Sequence, residues 1–235
     1  MPSSSEGTGS ALLLSGGRGP FTDPWHPFAE TSRRVEEILI EAGYEVEVSF
    51  DVGARMSDLT GVDLVVANAP EPADPLPEPV LEAARAALRT HLTRGGGVVG
   101  IHAAAVGLLR MPEWRSALGA RWVPGRSMHP PLGTATVRVH PTDLTHGAGE
   151  FTVVDELYSH LGFETGAETL VSHELDDERH PLVWLRRYGS ARAAGDALGH
   201  DARSFDSTAH AELLREVFAW AGGRQPTVSG TRDST

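Results

Sequence analysis

Three short apolar runs constrain this chain most: Ala11–Leu14, Val62–Ala67 and Val98–Ile101. Each is too short for a buried helix and is bounded by glycine or polar residues, so each reads as a strand covered on both faces. Between them the period changes. Phe28, Val35, Ile38, Leu39 and Ala42 recur at helical spacing and stop at Gly43. Val80, Leu81, Ala84, Leu88 and Leu92 do the same ahead of Gly95-Gly96-Gly97. Tyr44–Phe50 alternates as a strand does, and the five prolines from Pro70 to Pro79 demand a loop. Strand, helix and strand in repetition argue for a parallel sheet with helices on both faces.

The second half is richer in strands. Gly133–His140, Phe151–Val154, Glu168–Leu175 and Pro181–Tyr188 carry strand patterns, and Arg192–Leu198 is a strand thin in side chains. Ala209–Ala221 reads as a closing helix. The expected fold is a single α/β domain over residues 11–221, with a mostly parallel sheet flanked by helices. Residues 1–10 and 222–235 are polar and read as disordered tails.

Composition removes several chemistries. There is no cysteine, hence no disulfide, thiolate metal site or thiol nucleophile. All 20 basic residues are arginine, so lysine Schiff bases and P-loop lysines are excluded. A net charge of −12 without an arginine cluster argues against nucleic acid and against anionic membrane surfaces. No apolar run approaches the ~20 residues of a spanning helix. The first residues lack the basic and apolar regions of a signal peptide, so a cytoplasmic protein is expected.

The richest segment is Gly97-Val98-Val99-Gly100-Ile101-His102-Ala103-Ala104. A buried strand runs into a functional residue flanked at two positions by small ones, the layout of a nucleophile elbow. Such an elbow presents its central side chain at the carboxyl end of a strand, where open α/β sheets bind ligands. Here that side chain is imidazole, suited to acid, base or metal-ligand roles. It is expected to stand in an open cleft.

Ala197-Leu198-Gly199-His200-Asp201 again ends a strand in histidine, followed by a carboxylate. His200 is a second candidate acid or base. Asp201 is either its partner or the cap of a turn. In Val154-Asp155-Glu156-Leu157-Tyr158 adjacent acids point to opposite sides, so at most one, Glu156, is expected in a pocket. His26, His129 and His180 each precede proline, which holds the chain extended and suits projection into a cleft. Trp25, Trp114, Trp122 and Trp184 offer flat faces for stacking, with core packing as the competing role.

These segments together resemble the ThuA-like (trehalose utilisation) family. The matching pieces are LLLSGG at Leu12–Gly17, HPFAET at His26–Thr31, GGGVVGIHAA at Gly95–Ala104 and HPPLG from His129. They continue with HPTDLTHG at His140–Gly147, VDELY at Val154–Tyr158, PLVWLRRYG at Pro181–Gly189 and ALGHD at Ala197–Asp201. The resemblance implies a flavodoxin-like fold similar to class I glutamine amidotransferases. In those enzymes the elbow carries a cysteine; with His102 in its place and no cysteine in the chain, glutaminase chemistry is excluded. One strand departs from the family pattern: Arg192-Ala193-Ala194-Gly195 stands where bulky residues are usual, so thin packing under His200 is expected.

The resemblance implies carbohydrate metabolism and leaves two readings open. In one, the protein is an enzyme acting on a disaccharide or an oxidised, 3-keto sugar. His102, His200, Glu156 and Asp201 would be catalytic, and Trp25, His26, His129 and Trp184 would bind substrate. A divalent metal such as Zn²⁺ would draw its ligands from His102, His129 and His200. In the other, it is a non-catalytic sugar-binding or complex-forming subunit on a degenerate amidotransferase-like scaffold. Either way the expected partner is a small-molecule sugar, and homo-oligomerisation is left open.

Overall fold

The protein is described by a computed structural model covering residues 8–145 and 147–224. The first half runs β1 (Gly9–Ser15), α1 (Phe28–Glu41), β2 (Tyr44–Ser49), α2 (Val52–Met56), β3 (Leu64–Asn68), α3 (Glu78–Thr93) and β4 (Gly97–Ile101). Then come α4 (Ala103–Val106), α5 (Pro112–Leu118), β5 (Ala120–Arg121), β6 (Gly133–Val139), β7 (Gly149–Asp155) and β8 (Gly162–Phe163). The chain closes with β9 (Ala167–Leu175), β10 (Glu178–Tyr188), β11 (Ala191–Asp196), a 3-10 turn (Ala202–Asp206) and α6 (Thr208–Ala221).

Nine strands form one sheet in the order β2-β1-β3-β4-β11-β10-β9-β6-β7. From β2 to β11 neighbours are parallel; β10, β9, β6 and β7 continue the sheet in antiparallel pairs. The strand-rich second half therefore extends the same sheet. A small β5–β8 pair lies apart from it.

The apolar runs have no polar face because the sheet is covered on both sides. Leu13, Val66, Val99 and Ile101 pack in one core with Val35 and Leu39 of α1 and Leu214 and Phe218 of α6. Leu12, Leu14, Val65 and Val98 face the opposite core, with Ala84 and Leu88 of α3 and Trp114 of α5. Each fully buried leucine contributes roughly 1.5–3 kcal/mol.

Two short helices escape the periodicity of the sequence. α2 is five residues long and capped by the Asp51 carboxylate, which accepts the Ala54 amide. α5 opens on Pro112, and its Trp114 donates its indole N–H to the Ala104 carbonyl at 2.8 Å. Both expected tails also reach too far into the ordered chain. Gly9 and Ser10 belong to β1, paired with Tyr44 and Glu45. Gly222–Arg224 continue the end of α6, their amides bonding to Phe218, Trp220 and Ala219 carbonyls. Residues 1–7 and 225–235 of those tails lie outside the described residues.

The thin strand is well packed, contrary to expectation. β11 sits between β4 and β10 and is almost wholly buried. A side chain at Gly195 would meet the Trp184 ring at 2.1 Å, because that indole already fills the space. The bulk missing from Arg192–Gly195 is supplied by the neighbouring strand. Trp184 is 0% exposed and donates to the Leu118 carbonyl at 2.9 Å, so it is a core residue and not a sugar-stacking surface. His180, expected in a loop, is likewise buried in β10.

Gly195→Val should therefore overpack this seam at a cost of ~1–3 kcal/mol. Thermal melting should show it as a drop of ~2–4 °C per kcal/mol. An unchanged midpoint would show that the indole does not depend on the missing side chain.

Candidate functional site

The elbow forms as its residue pattern requires. Its apex, His102, adopts φ 48° and ψ −110°, a strained conformation for any residue but glycine. It is clamped on both sides. The His102 amide donates to the Asp196 carbonyl at 2.6 Å, and the His102 carbonyl accepts the Ala105 amide at 3.0 Å. A side chain at Gly100 would lie 2.5 Å from the Ala104 carbonyl oxygen, which is why that position must be small.

The His102 imidazole lies on the floor of the site, 1% exposed, and not in an open cleft. Its Nδ1–H donates to the Ala197 carbonyl at 2.9 Å, so Nε2 keeps its lone pair. Tyr158 Oη donates to that lone pair at 3.1 Å. Burial first, then the neighbouring histidines, hold His102 well below the ordinary histidine range, so the ring is neutral.

His26 reaches the same place from the loop after β1. Asp23 shapes that loop: Oδ1 accepts the Trp25 and His26 amides at 2.9 Å each, and Oδ2 takes the His26 Nδ1–H at 2.7 Å. This leaves His26 Nε2 as the ring's free nitrogen. His200 arrives from the loop after β11. The buried Asp155 carboxylate accepts the Gly199 amide at 2.7 Å and the His200 amide at 3.3 Å. Burial pushes Asp155 up to about 6. The adjacent acids divide as expected, with Asp155 turned inward to the loop backbone and Glu156 turned to the histidines.

The three rings converge. Centroid distances are 5.0 Å for His26–His102, 4.8 Å for His26–His200 and 5.4 Å for His102–His200. Glu156 Oε2 is 3.2 Å from His200 Nδ1 and 3.9 Å from His102 Nε2. His200 Nδ1 is buried and, among the described residues, has no hydrogen-bond partner of proper geometry. Burial lowers the pKa of His200, partly offset by Glu156. One donor atom each from His26, His102, Glu156 and His200 lies within 4.8 Å of the others. Three imidazoles and a carboxylate, two of the rings oriented through Nδ1 by a carbonyl or a carboxylate, form a donor set suited to Zn²⁺ or a similar ion.

The remaining candidates fall on either side of this centre. His129 stands outside the four-donor group; its Nδ1 is 3.6 Å from Glu156 Oε1 and donates to the Pro130 carbonyl at 3.0 Å. It stands in the wall of the site, outside that group of four donor atoms. Trp25 is 70% exposed, one residue before His26. Asp201 is committed elsewhere: it caps the 3-10 turn through the Arg203 amide and pairs with the Arg203 guanidinium. The capping alternative therefore describes it, and the catalytic one does not.

Four supporting residues carried no strong signal: Asp23, Tyr158, Asp196 and His210. Asp23 alone was readable, as an acid three residues before a histidine in a loop. Asp196 Oδ1 accepts the Leu198 amide at 2.9 Å and Oδ2 meets His210 Nε2 at 2.8 Å. His210 Nδ1 also reaches the Ser204 carbonyl at 3.1 Å. The Asp196 carboxylate at Nε2 and the Ser204 carbonyl at Nδ1 favour the protonated ring: burial pulls the pKa of His210 down, but the Asp196 charge and hydrogen bond raise it overall.

A ThuA family model, described as trehalose utilisation, matches residues 22–221. The chain belongs to the ThuA family. Membership associates it with carbohydrate utilisation. A ThuA-like protein from Parabacteroides merdae is 21% identical, with a TM-score of 0.75 over 95% of this chain and 93% of that one. Another from Bacteroides uniformis is 17% identical, with a TM-score of 0.69 and 91% of each chain covered. A glutamine amidotransferase from Thermotoga maritima is 12% identical, with a TM-score of 0.56 over 92% of this chain and 99% of that one. The ThuA chain thus has the amidotransferase-like α/β fold. No curated protein matches its sequence. Among the described residues no helix is long and apolar enough to cross a membrane.

His210→Ala leaves the buried Asp196 carboxylate without its counter-charge, and should cost ~3–5 kcal/mol. Because the folded pKa of His210 is raised, the pair's contribution is full below the unfolded value of about 6.5 and is lost as pH rises through the folded pKa. Urea titrations across this range should show the gap between wild type and variant narrowing upward. A gap that widens with pH would contradict a charged His210.

Proposed function

We propose that the protein is an enzyme acting on a disaccharide in its 3-keto form, with His26, His102, Glu156 and His200 holding a divalent cation such as Zn²⁺. The observation that supports this is the convergence of four donor atoms within 4.8 Å. The tautomers fit as well. Nδ1 of His102 and of His26 is spent on Ala197 and Asp23, which leaves their Nε2 atoms facing the site, that of His102 through a 3.1 Å hydrogen bond from Tyr158 that a cation would displace. His200 Nδ1 is buried 3.2 Å from Glu156 with no hydrogen bond of proper geometry among the described residues. An ion held there would supply Lewis-acid polarisation of a substrate carbonyl oxygen.

The chain's own residues supply the proton transfers. A ketone at C3 of a pyranose acidifies the C2–H. His129 donates Nδ1–H to Pro130, so its Nε2 is free to take that proton. The electron pair left at C2 forms the C1–C2 double bond as the C1–O glycosidic bond breaks. The His129 imidazolium returns its proton to the departing oxygen. Elimination gives an unsaturated keto sugar and a free sugar, with no external oxidant or nucleophile. Trp25, exposed beside His26, offers a face for the sugar ring.

The test is turnover of a 3-keto disaccharide by Zn²⁺-loaded protein. Wild type should release free sugar. His129→Ala should lower kcat ~10²–10⁴-fold with an unchanged melting midpoint, because the side chain is 37% exposed. Saturable binding of the disaccharide with no turnover under any metal loading would contradict the proposal and favour the sugar-binding subunit.

A further inference from the structure

A second group of donors stands behind the first site. The segment Leu157–His160 carries Tyr158 toward His102, and two residues later His160 lies against the start of β10. His160 Nδ1 is 3.4 Å from Glu178 Oε2, and the His160 and His180 rings are 4.4 Å apart between centroids. One donor atom from each of His160, Glu178 and His180 lies within 4.8 Å of the other two. The three residues line a cavity of 140 Å³.

An unsatisfied atom gives this grouping its meaning. His180 is 5% exposed, and its Nε2 is buried with no hydrogen bond of proper geometry among the described residues; the Leu175 backbone acts on the ring, as do His160 and the nearby acids. A buried polar atom without a partner costs ~1–3 kcal/mol. Its Nδ1 contact, accepted from the His160 amide, is long at 3.2 Å. The ring therefore has one long hydrogen bond at Nδ1 and no well-formed one at Nε2, beside a histidine and a carboxylate.

From this geometry we infer that His160, Glu178 and His180 form a second divalent-cation site. Two imidazoles and one carboxylate, with a further position open to water, are a donor set that first-row ions such as Zn²⁺ accept. Binding through Nε2 would move the ring proton to Nδ1; the His160 amide then loses its acceptor and must turn away from Nδ1, and His180 exchanges the 3.2 Å contact for a metal bond. The ion would tie the turn after Tyr158 to β10. Ser159 is bonded on that turn to Met128, one residue before His129, through Met128 N–Ser159 O at 3.2 Å and Ser159 N–Met128 O at 2.7 Å. Occupancy of the second site would thus steady two walls of the first. The inference does not depend on the proposed reaction, since it uses none of its residues.

Zn²⁺ binding to the full chain, followed by equilibrium dialysis with metal analysis, tests it. His160→Ala/Glu178→Gln removes two of the donors at partly or well exposed side chains and leaves the buried His180 in place. The double variant should bind one equivalent fewer than wild type, or bind that equivalent ~10–100-fold more weakly. The same difference should persist when both proteins also carry Glu156→Gln, which separates this site from the first. Equal stoichiometry and affinity in wild type and double variant, or no Zn²⁺ bound by either, would overturn the inference.

Discussion

The site depends on Asp196. Its carbonyl accepts the His102 amide at 2.6 Å, joining the carboxyl ends of two adjacent parallel strands at the point where one turns into the elbow. Its carboxylate holds the Leu198 amide and His210, which fixes the loop to His200 and anchors α6 beneath it. One residue thus sets the separation of two histidines 98 positions apart (His102 and His200). The strained backbone at His102 persists because this bond and the β4–β11 ladder hold it.

Around that joint the rings are oriented by groups that do not enter the site. Ala197 fixes the tautomer of His102, Asp23 that of His26, and Asp155 places the His200 backbone. Each is a hydrogen bond made behind the ring or behind its loop; on the inner side His102 Nε2 accepts the Tyr158 hydroxyl, while His26 Nε2 keeps a free electron pair. Burial lowers the pKa of both His102 and His200. Crowding of the rings acts in the same direction and opposes protonation at the centre, His26 and His200 both lowering the pKa of His102.

Much of this was legible in the sequence where the constraint is local. Gly100, His102 and Ala104 announce the elbow because the turn tolerates no bulk at its flanks, and the strand runs announce a sheet covered on both faces. Placing His102 and His200 at strand ends, with His26 and His129 in loops over the same sheet edge, pointed to one shared pocket with His102, His129 and His200 as the metal candidates; the structure instead groups His26 and Glu156 with His102 and His200. What stayed hidden is long-range. A tryptophan on a strand does not reveal which neighbour its ring will cover, so Trp184 was not readable as the filling for Gly195. Asp201 beside His200 looked like a partner, yet Arg203 two residues on was closer to hand. The Asp196–His210 pair joins a strand end to a helix 14 residues later, and no periodicity marks it.

Anomalous diffraction at the zinc edge, from crystals of protein loaded with Zn²⁺, tests the central claim most directly. The expected result is a peak bound by nitrogens of His26, His102 and His200 and by a Glu156 oxygen, at ~2.0–2.2 Å from each. Full zinc loading with no peak among these four residues would contradict the claim that they form a metal-holding reaction centre.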